Sequence, residues 1–384
     1  PFDCFVITDR TMLSFIIPTR NRPEELGRTL ARLGRLPPAM APAGSEVIVI
    51  DNASARRSSL EGTLENGMPV RAIHLQENRG AAARNMGAAL AANPWLVMLD
   101  DDSAPIAGDF AGVLAASDAD IAAVGGDIRL PSGNREAGGL PEVIVGCGCA
   151  IRRDAFLAAG GYDEAFGYYA EEYDLCARFI GAGHRVAHTA ALRFEHRKVT
   201  AGRDFAEIMY RLVRNNGWTI RRHAPEHRRE AELERMLGRY RSIAKREGVV
   251  GAFDRGERVI ADDPAGDDHR RLTDAQWSRF TGRAAVEHAL LPALRLQRVD
   301  GVELVSRGKG VDVIEAVLTE ANISIETGAE TEVIASLSPG PLLDASARHP
   351  RAFLPWRPDL AATRAGVAFG PRAANGEGTG CAAA

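Results

Sequence analysis

The feature that most limits how this chain can fold is a regular alternation of apolar strands and helices between residues 13 and 102. The apolar segments LSFIIPTRN, SEVIVIDNAS, VRAIHLQE and WLVMLDDD begin at residues 13, 45, 70 and 95. Two of the intervening segments, PEELGRTLARLGRL and GAAARNMGAALAA, have the apolar or small-residue spacing of helices. Strands that alternate with helices predict an α/β fold with a doubly wound, mostly parallel sheet.

Polar side chains follow the apolar part of three of these strands. They are Thr19, Arg20 and Asn21 after the first strand, Asp51 and Asn52 after the second, and Asp100, Asp101 and Asp102 after the fourth. Ligands of such sheets bind at the carboxyl ends of the strands, so we expect these groups to converge on one crevice. Adjacent aspartates repel one another and make a poor structural element, but their oxygens suit a divalent cation.

The composition excludes several classes of partner. Of the 384 residues, 26% are charged and the formal net charge is -4, which gives no bulk signal for binding nucleic acid. The five cysteines lack paired CxxC spacing, so we predict reduced thiols in a cytoplasmic compartment, with Cys147 and Cys149 as small buried residues. The sequence has no apolar run long enough for a transmembrane segment and no signal peptide, although a peripheral position at the inner face of the membrane stays open.

The pattern changes along the chain and predicts four regions. They are a catalytic domain at 12–222 (donor half 12–110, acceptor half 111–222), a helical and linker extension at 223–295, a small α/β appendage at 296–370 and a disordered tail at 371–384. The appendage contains SRGKG, a weak phosphate-binding signal. We therefore favour a packing or oligomerisation role for it, such as a homodimer contact, over a second ligand site.

Five motifs carry a resemblance to a known family. They are SFIIPTRNRPEEL, VIVIDNAS, ENRGAAARNMG, LDDD and GGYDEAFGYYAEEYDLCARF. In this order and spacing, over roughly residues 13–222, the chain resembles the inverting glycosyltransferases of family 2, which have the GT-A fold. The resemblance implies a GT-A-like sheet and transfer of a sugar from a nucleoside diphosphate donor to an acceptor hydroxyl, with inversion at the anomeric carbon.

A metal site at the aspartates is the first implication of this resemblance. It puts Asp102 on the metal and Asp100 near the ribose. The leaving diphosphate gains negative charge and needs a cation, for which carboxylate oxygens favour Mn²⁺ or Mg²⁺. His196 lies where many family members have a metal-facing histidine, but a hydrogen-bonded or surface role stays open, and His184 and His188 compete with it.

Donor-binding residues are implied in the same way. Thr19 and Asp51 match the positions that contact the base, and Arg84 matches a donor-contacting arginine. Arg22 and Asp101 complete the expected donor site. Asp51 has an alternative interpretation as a turn residue after a strand. The expected donor is a UDP- or dTDP-sugar, and the acceptor is a sugar, a lipid-linked molecule or another small molecule.

The catalytic base is expected in YYAEEYDLC, where the family usually has Glu-Asp-x-Asp with the second acid as base. Here the second position is Glu172, which is a departure by one methylene group, so either Glu172 or Glu171 takes the acceptor proton. Acids in the first turn of a helix also stabilise its dipole, which is a competing explanation. Asp174 is expected to orient a neighbour or to pair with Arg178.

Two other functions compete with a glycosyltransferase. A sugar-nucleotide nucleotidyltransferase would also use metal-bound aspartates on such a sheet, but PTRNRPEEL lacks the Gly-rich phosphate loop expected after its first strand. A non-catalytic binding protein on the same fold remains open because the Glu-Asp pair is altered.

Overall fold

The structure is a computed structural model, and it describes residues 12–56, 61–136, 138–198, 204–264 and 271–358. The predicted tail at 371–384 lies outside the described residues, as do the end of the predicted appendage and residues 265–270 of the predicted helical and linker extension.

The larger sheet contains ten strands among the described residues. In chain order they are β1 (Leu13–Thr19), β2 (Glu46–Asp51), β3 (Gly62–Thr63), β4 (Pro69–His74), β5 (Trp95–Met98), β6 (Ser103–Ala107), β7 (Ile121–Arg129), β8 (Arg135–Glu136), β9 (Cys149–Arg152) and β10 (Arg185–His196). Their order across the sheet is β3-β4-β2-β1-β5-β9-β7-β10-β6, with β8 paired to β7. Strands β4, β2, β1 and β5 run parallel, as do β7 and β10, and the other pairs are antiparallel.

Helices cover both faces of this sheet. They are α1 (Pro23–Leu33), α2 (Ala83–Leu90), α3 (Phe110–Ala115), α4 (Arg153–Ala158), α5 (Glu171–Gly181) and α6 (Phe205–His223). Strand β1 is buried along its whole length, and alternate residues of it enter two separate apolar clusters, with Ile16 in one and Phe15 and Ile17 in the other. A strand covered on both faces reads as a continuous apolar run, which is why LSFII shows no polar alternation. The predicted α/β class and doubly wound, GT-A-like sheet are confirmed.

The C-terminal region is helical and then forms a second small sheet. Its elements are α7 (Glu226–Arg246), α8 (Val250–Arg258), α9 (Asp274–Phe280), α10 (Arg283–Leu296), β11 (Gly301–Val305), α11 (Val311–Glu320), β12 (Ser324–Ile325), β13 (Glu332–Ile334) and α12 (Pro339–Arg348). The three strands are parallel in the order β12-β11-β13 and have an apolar cluster of their own. Within the described ranges, no helix has the length and apolar character needed to cross a membrane.

A buried ion-pair network joins α5 to α6. One carboxylate oxygen of Asp174 accepts hydrogen bonds from Arg178 at 2.7 and 3.0 Å, and the other lies 2.8 Å from His223 Nε2 and 3.3 Å from Arg222. The expected pairing of Asp174 with Arg178 is therefore confirmed. Burial raises the pKa of Asp174, but the hydrogen bond to His223 and the arginine charges outweigh burial and hold the pKa below its usual value.

We expect Asp174→Asn to lower the free energy of unfolding by about 3–5 kcal/mol, because it breaks a buried network and leaves its cations uncompensated. The folded pKa lies below the unfolded value of about 3.9, so this contribution is complete above about pH 5 and is lost as the pH falls. Urea denaturation at pH 7 and at pH 3.5 measures both effects. Asp154→Asn is the control, since its side chain is 98% exposed, and a loss no larger than that of the control would contradict the prediction.

Candidate active site

The carboxyl ends of β1, β2 and β5 bring the predicted donor residues together. Thr19 and Asp51 are register partners in the parallel pair of β1 and β2. Strand β5 ends at Met98, so the aspartates predicted to end the strand lie in the turn that follows it. The Thr19 hydroxyl donates to Asp101 at 2.8 Å, which ties the end of β1 to that turn. The predicted convergence of polar strand ends is confirmed for these residues.

A cavity of about 420 Å³ opens at this edge of the sheet. The predicted donor residues that line it are Thr19, Arg22 and Asp51. The two oxygens of Asp51 accept a hydrogen bond from the Ser54 amide at 2.9 Å and contact His74 Nδ1 at 2.9 Å. Burial raises the pKa of Asp51, but these two contacts outweigh it and lower the pKa. His74 is a lining residue that the sequence reasoning missed, although it stands at the carboxyl end of β4, a position that suggests a ligand contact.

The Asp101 carboxylate makes different contacts from those of Asp100 and Asp102. Its carboxylate is buried and bonded to Thr19 and to Arg22, the latter at 2.6 Å. Burial raises its pKa to about 7, against the lowering effect of Arg22 and Thr19. Both carboxylate oxygens therefore contact protein donors. Its predicted donor-binding role stays a prediction, while its contacts connect β1 to the turn after β5.

Asp100, Asp102 and His196 meet at the end of β10. His196 pairs with Ser103 in the antiparallel ladder between β10 and β6, which brings the ring beside the turn after β5. Its Nε2 lies 3.2 Å from an Asp102 oxygen and 3.9 Å from an Asp100 oxygen. Of the three histidines considered, His196 is the one at the aspartates. His188 lies instead with its ring centre 5.9 Å from that of Trp356.

Two further side chains contact the other nitrogen of the His196 ring. Nδ1 is in close contact with a Glu136 oxygen, and Cys147 Sγ lies 3.5 Å from the same nitrogen. Burial lowers the pKa of His196, but hydrogen bonds to Asp102, Cys147 and Glu136 outweigh it and raise the pKa to about 12. Potential ligand atoms of Asp100, Cys147 and His196 lie within 4.8 Å of one another, a spacing that could hold a metal ion. Cys147 is buried as predicted, but its position beside His196 could not be predicted from the sequence.

Arg84 connects the turn that carries the aspartates to the loop before β9. Its Nη2 donates to the carbonyls of Leu99 at 3.1 Å and Gly146 at 3.3 Å, and it forms an ion pair with Asp100.

Gly80 precedes α2 with a φ of 58°, and a Cβ atom there would lie 2.4 Å from the Gly167 carbonyl oxygen. This close approach requires glycine and joins the start of α2 to the loop before α5.

Glu171 and Glu172 begin α5 after a strained turn. Tyr169 and Ala170 have positive φ values of 72° and 65°, which are rare for residues other than glycine. Asn215 from α6 stabilises this turn, since its side-chain amide donates to the carbonyls of Phe166, Tyr168 and Tyr169 at 3.0, 3.1 and 2.6 Å. The first turn of the helix is thus fixed from outside by a residue that the sequence reasoning missed.

The two glutamates differ in their hydrogen bonds. Glu172 Oε1 accepts from the Gly146 amide at 3.1 Å, whereas Glu171 Oε2 is buried and has no hydrogen-bond partner in the described part of the chain. Burial raises the pKa of both, and the negative charge of Glu172 raises that of Glu171 further. Because an amide N–H stabilises an ionised carboxylate, the arrangement favours a protonated Glu171 beside an ionised Glu172.

Part of the chain is similar to a known family. Residues 14–198 match the family described as glycosyl transferase family 2. An uncharacterized glycosyltransferase of Haemophilus influenzae is 37% identical over 92 residues, which are 24% of this chain. The matched segment spans 29% of that relative's length.

Two solved structures of low sequence identity are similar to this chain in shape. GalNAc-T7 with UDP, GalNAc and Mn²⁺ is 16% identical, with a TM-score of 0.47 over 67% of this chain and 57% of that one. The mannosyltransferase PcManGT of Pyrobaculum calidifontis, with GDP-Man and Mn²⁺, is 15% identical, with a TM-score of 0.44 over 82% and 87% of the two chains. Likeness at this level carries no argument about donor, metal or acceptor.

Proposed function

We propose that the protein transfers a sugar from a UDP- or dTDP-sugar to an acceptor hydroxyl with inversion, because residues 14–198 match the family described as glycosyl transferase family 2. The acceptor would be a sugar, a lipid-linked molecule or another small molecule. The observation that supports this most directly is the double role of Arg22, which lines the cavity beside Asp51 and donates to Asp102 at 2.8 Å. A nucleotide cavity and an acidic cluster are thus joined at one edge of the sheet, as a diphosphate donor requires.

The donor atoms at the acidic cluster fit a hard divalent cation. Two carboxylates and the imidazole Nε2 of His196 approach one another, and oxygen and imidazole ligands suit Mn²⁺, with Mg²⁺ as the alternative. We assign Asp102 and His196 as ligands, with Asp100 beside them. Cys147 contacts Nδ1 on the other side of the ring, and thiolates select softer metals. A bound cation would neutralise the charge that develops on the leaving diphosphate.

We assign the other parts of the proposed reaction to side chains of the protein. Arg84 holds Asp100 in place and adds positive charge near the turn that carries the aspartates. Glu172 lies at the start of α5, and its carboxylate accepts a hydrogen bond from the Gly146 amide. We propose that this carboxylate takes the proton of the acceptor hydroxyl. Thr19 and Asp51 are proposed to contact the base within the cavity.

Thermal unfolding in the presence of nucleotides tests this function. We expect UDP- or dTDP-sugars to raise the melting temperature in the presence of Mn²⁺ and much less in the presence of a chelator, because a ligand of the native state stabilises it. GDP-sugars serve as the comparison for base selectivity. If none of the nucleotides changes the melting temperature with Mn²⁺ or Mg²⁺, the proposed donor site is wrong.

Glu136 is proposed to orient His196 through Nδ1, as carboxylates commonly do for metal-binding histidines. We expect Glu136→Ala to weaken Mn²⁺ binding by about 10- to 100-fold, and Glu136→Gln to weaken it less, because glutamine still accepts the hydrogen bond. Titration of Mn²⁺ in the presence of UDP, followed by electron paramagnetic resonance, measures both. Parent affinity in both variants would exclude the orienting role.

A further inference from the structure

A second cavity, which we call the cationic cavity, lies where the C-terminal helices meet the small sheet region. Its volume is about 320 Å³, within the range of small-molecule sites. Residues of α5, α6, α7, α9 and the start of α11 line it. The apolar and aromatic part of the wall consists of Tyr173, Ile220, Met236, Trp277 and Phe280. Trp277 and Phe280 pack with ring centres 5.2 Å apart.

Three basic side chains line the same cavity, and they differ in how their charge is balanced. Arg235 forms ion pairs with Glu232 and Asp312. Lys309 contacts the Tyr173 hydroxyl and lies 4.5 Å from the centre of its ring. For Lys309 and Arg239, no carboxylate within ion-pair distance is found in the described part of the chain. Glu232 and Asp312 also line the cavity, so its three cations and two carboxylates leave one net positive charge among the described residues.

The shift in the pKa of Lys309 is consistent with a net positive charge in the cavity. Burial and the positive charge of Arg239 lower the pKa of Lys309 to about 8, against the opposing effects of Tyr240 and Glu172. The ten-residue helix α11 begins at Val311, directly after Gly310 with a φ of 84°. Its first residues line the cavity, so the partial positive charge of the helix N-terminus adds to that of the side chains.

We propose that the cationic cavity binds a small amphipathic anion, with its phosphate, sulfate or carboxylate group between Lys309 and Arg239. Its apolar part would pack against Trp277 and Phe280. Lys309 belongs to the SRGKG segment, for which the sequence favoured a packing role. Apart from Leu140 and Tyr173, the lining residues lie beyond the matched family segment at 14–198, so this site goes beyond the proposed function. Tyr173 directly follows Glu172 in α5, and the cavity therefore adjoins the proposed base.

The probe for this site is 8-anilinonaphthalene-1-sulfonate, an aromatic anion whose fluorescence rises on binding to apolar sites. We expect the folded full-length protein to bind it, with tryptophan-to-probe energy transfer that is reduced in Trp277→Phe. Lys309→Gln and Arg239→Gln are each expected to weaken binding by about tenfold or more, since each removes a charge-assisted contact. Arg241→Gln is the matched control, because Arg241 lies on the same helix outside the cavity and pairs with Glu257.

Circular dichroism and the melting temperature of each variant ensure that the probe reports a folded protein. Arg239 is exposed, so Arg239→Gln should not disturb the packing of the protein. It therefore still tests the site if Lys309→Gln unfolds. Failure of the parent to bind the probe, or equal affinity of Arg239→Gln and Arg241→Gln, would overturn the proposal. Titration of the parent protein with UDP and Mn²⁺ reports the donor site separately, so failure of the proposed function is recognised independently of this result.

Discussion

Asp102→Asn is expected to reduce the Mn²⁺-dependent affinity for UDP by more than about 100-fold, beyond the loss expected for a residue that only orients a ligand. Asp102 is proposed as a metal ligand, and an amide oxygen is a much weaker ligand for a hard cation than a carboxylate. The Asp102 carboxylate lies 3.2 Å from His196 Nε2 and 2.8 Å from Arg22. Isothermal calorimetry with UDP, with and without Mn²⁺, measures the effect.

The fold should survive this substitution. Asp102 lies in the turn after β5, and its backbone carbonyl, which accepts from the Arg197 amide at 2.9 Å, is unchanged. Asparagine retains an oxygen that can accept from Arg22. Near-ultraviolet circular dichroism of Asp102→Asn should therefore match that of the parent, with Asp154→Asn as a charge-matched surface control. Unchanged UDP affinity in the presence of Mn²⁺ would remove Asp102 from the metal site.

The placement of the donor residues could be predicted because parallel strands impose it. Once β1, β2 and β5 are recognised as neighbouring parallel strands, their carboxyl ends must lie at one edge. The location of Thr19, Asp51 and the three aspartates can therefore be predicted from the positions of the strands alone. The same geometry explains why the prediction erred by a few residues at β5, where the apolar run continues through Leu99 but pairing ends at Met98.

Glu136 and Cys147 could not be found in this way. Strand β8 has two residues, too few for any periodic signal, and it reaches His196 through the pairing of β7 with β8 and β10. Contacts of this kind depend on register between segments 49 and 60 residues apart in the chain. Spacing rules for cysteine ligands concern cysteines that are close in sequence, so they could not predict the contact of Cys147 with His196.

The SRGKG segment illustrates a different limit. Its sequence shows a turn between a strand and a helix, and β11 and α11 are observed on either side of it. Its chemical surroundings are supplied by α5, α7 and α9, which come from distant parts of the chain. Local sequence therefore predicted the conformation of Lys309 and Gly310, while the charge balance around Lys309 needed the tertiary structure.

Glu172 separates an enzyme from a non-catalytic protein on the same fold. If it takes the acceptor proton, Glu172→Gln preserves size and one accepting oxygen but removes the base, so turnover should fall by about 10²–10⁴-fold. UDP affinity should change little, because Glu172 contacts the Gly146 amide rather than the donor cavity. If it only stabilises the dipole of α5, the change should cost about 0.3–1 kcal/mol in stability and leave turnover near the parent value.

Glu171→Gln is the matched comparison, since it makes the same change one residue earlier in the same turn of α5. Glu171 Oε2 has no hydrogen-bond partner among the described residues, and the negative charge of Glu172 adds to burial in raising the pKa of Glu171, which favours the neutral form at Glu171. Glu171→Gln therefore replaces a neutral acid by a neutral amide and should leave most of the turnover intact. Sugar-transfer rate, UDP affinity and melting temperature, measured on both variants, distinguish the two roles. An inactive Glu171→Gln beside an active Glu172→Gln would move the base to Glu171 and reverse the protonation order inferred from the Gly146 hydrogen bond.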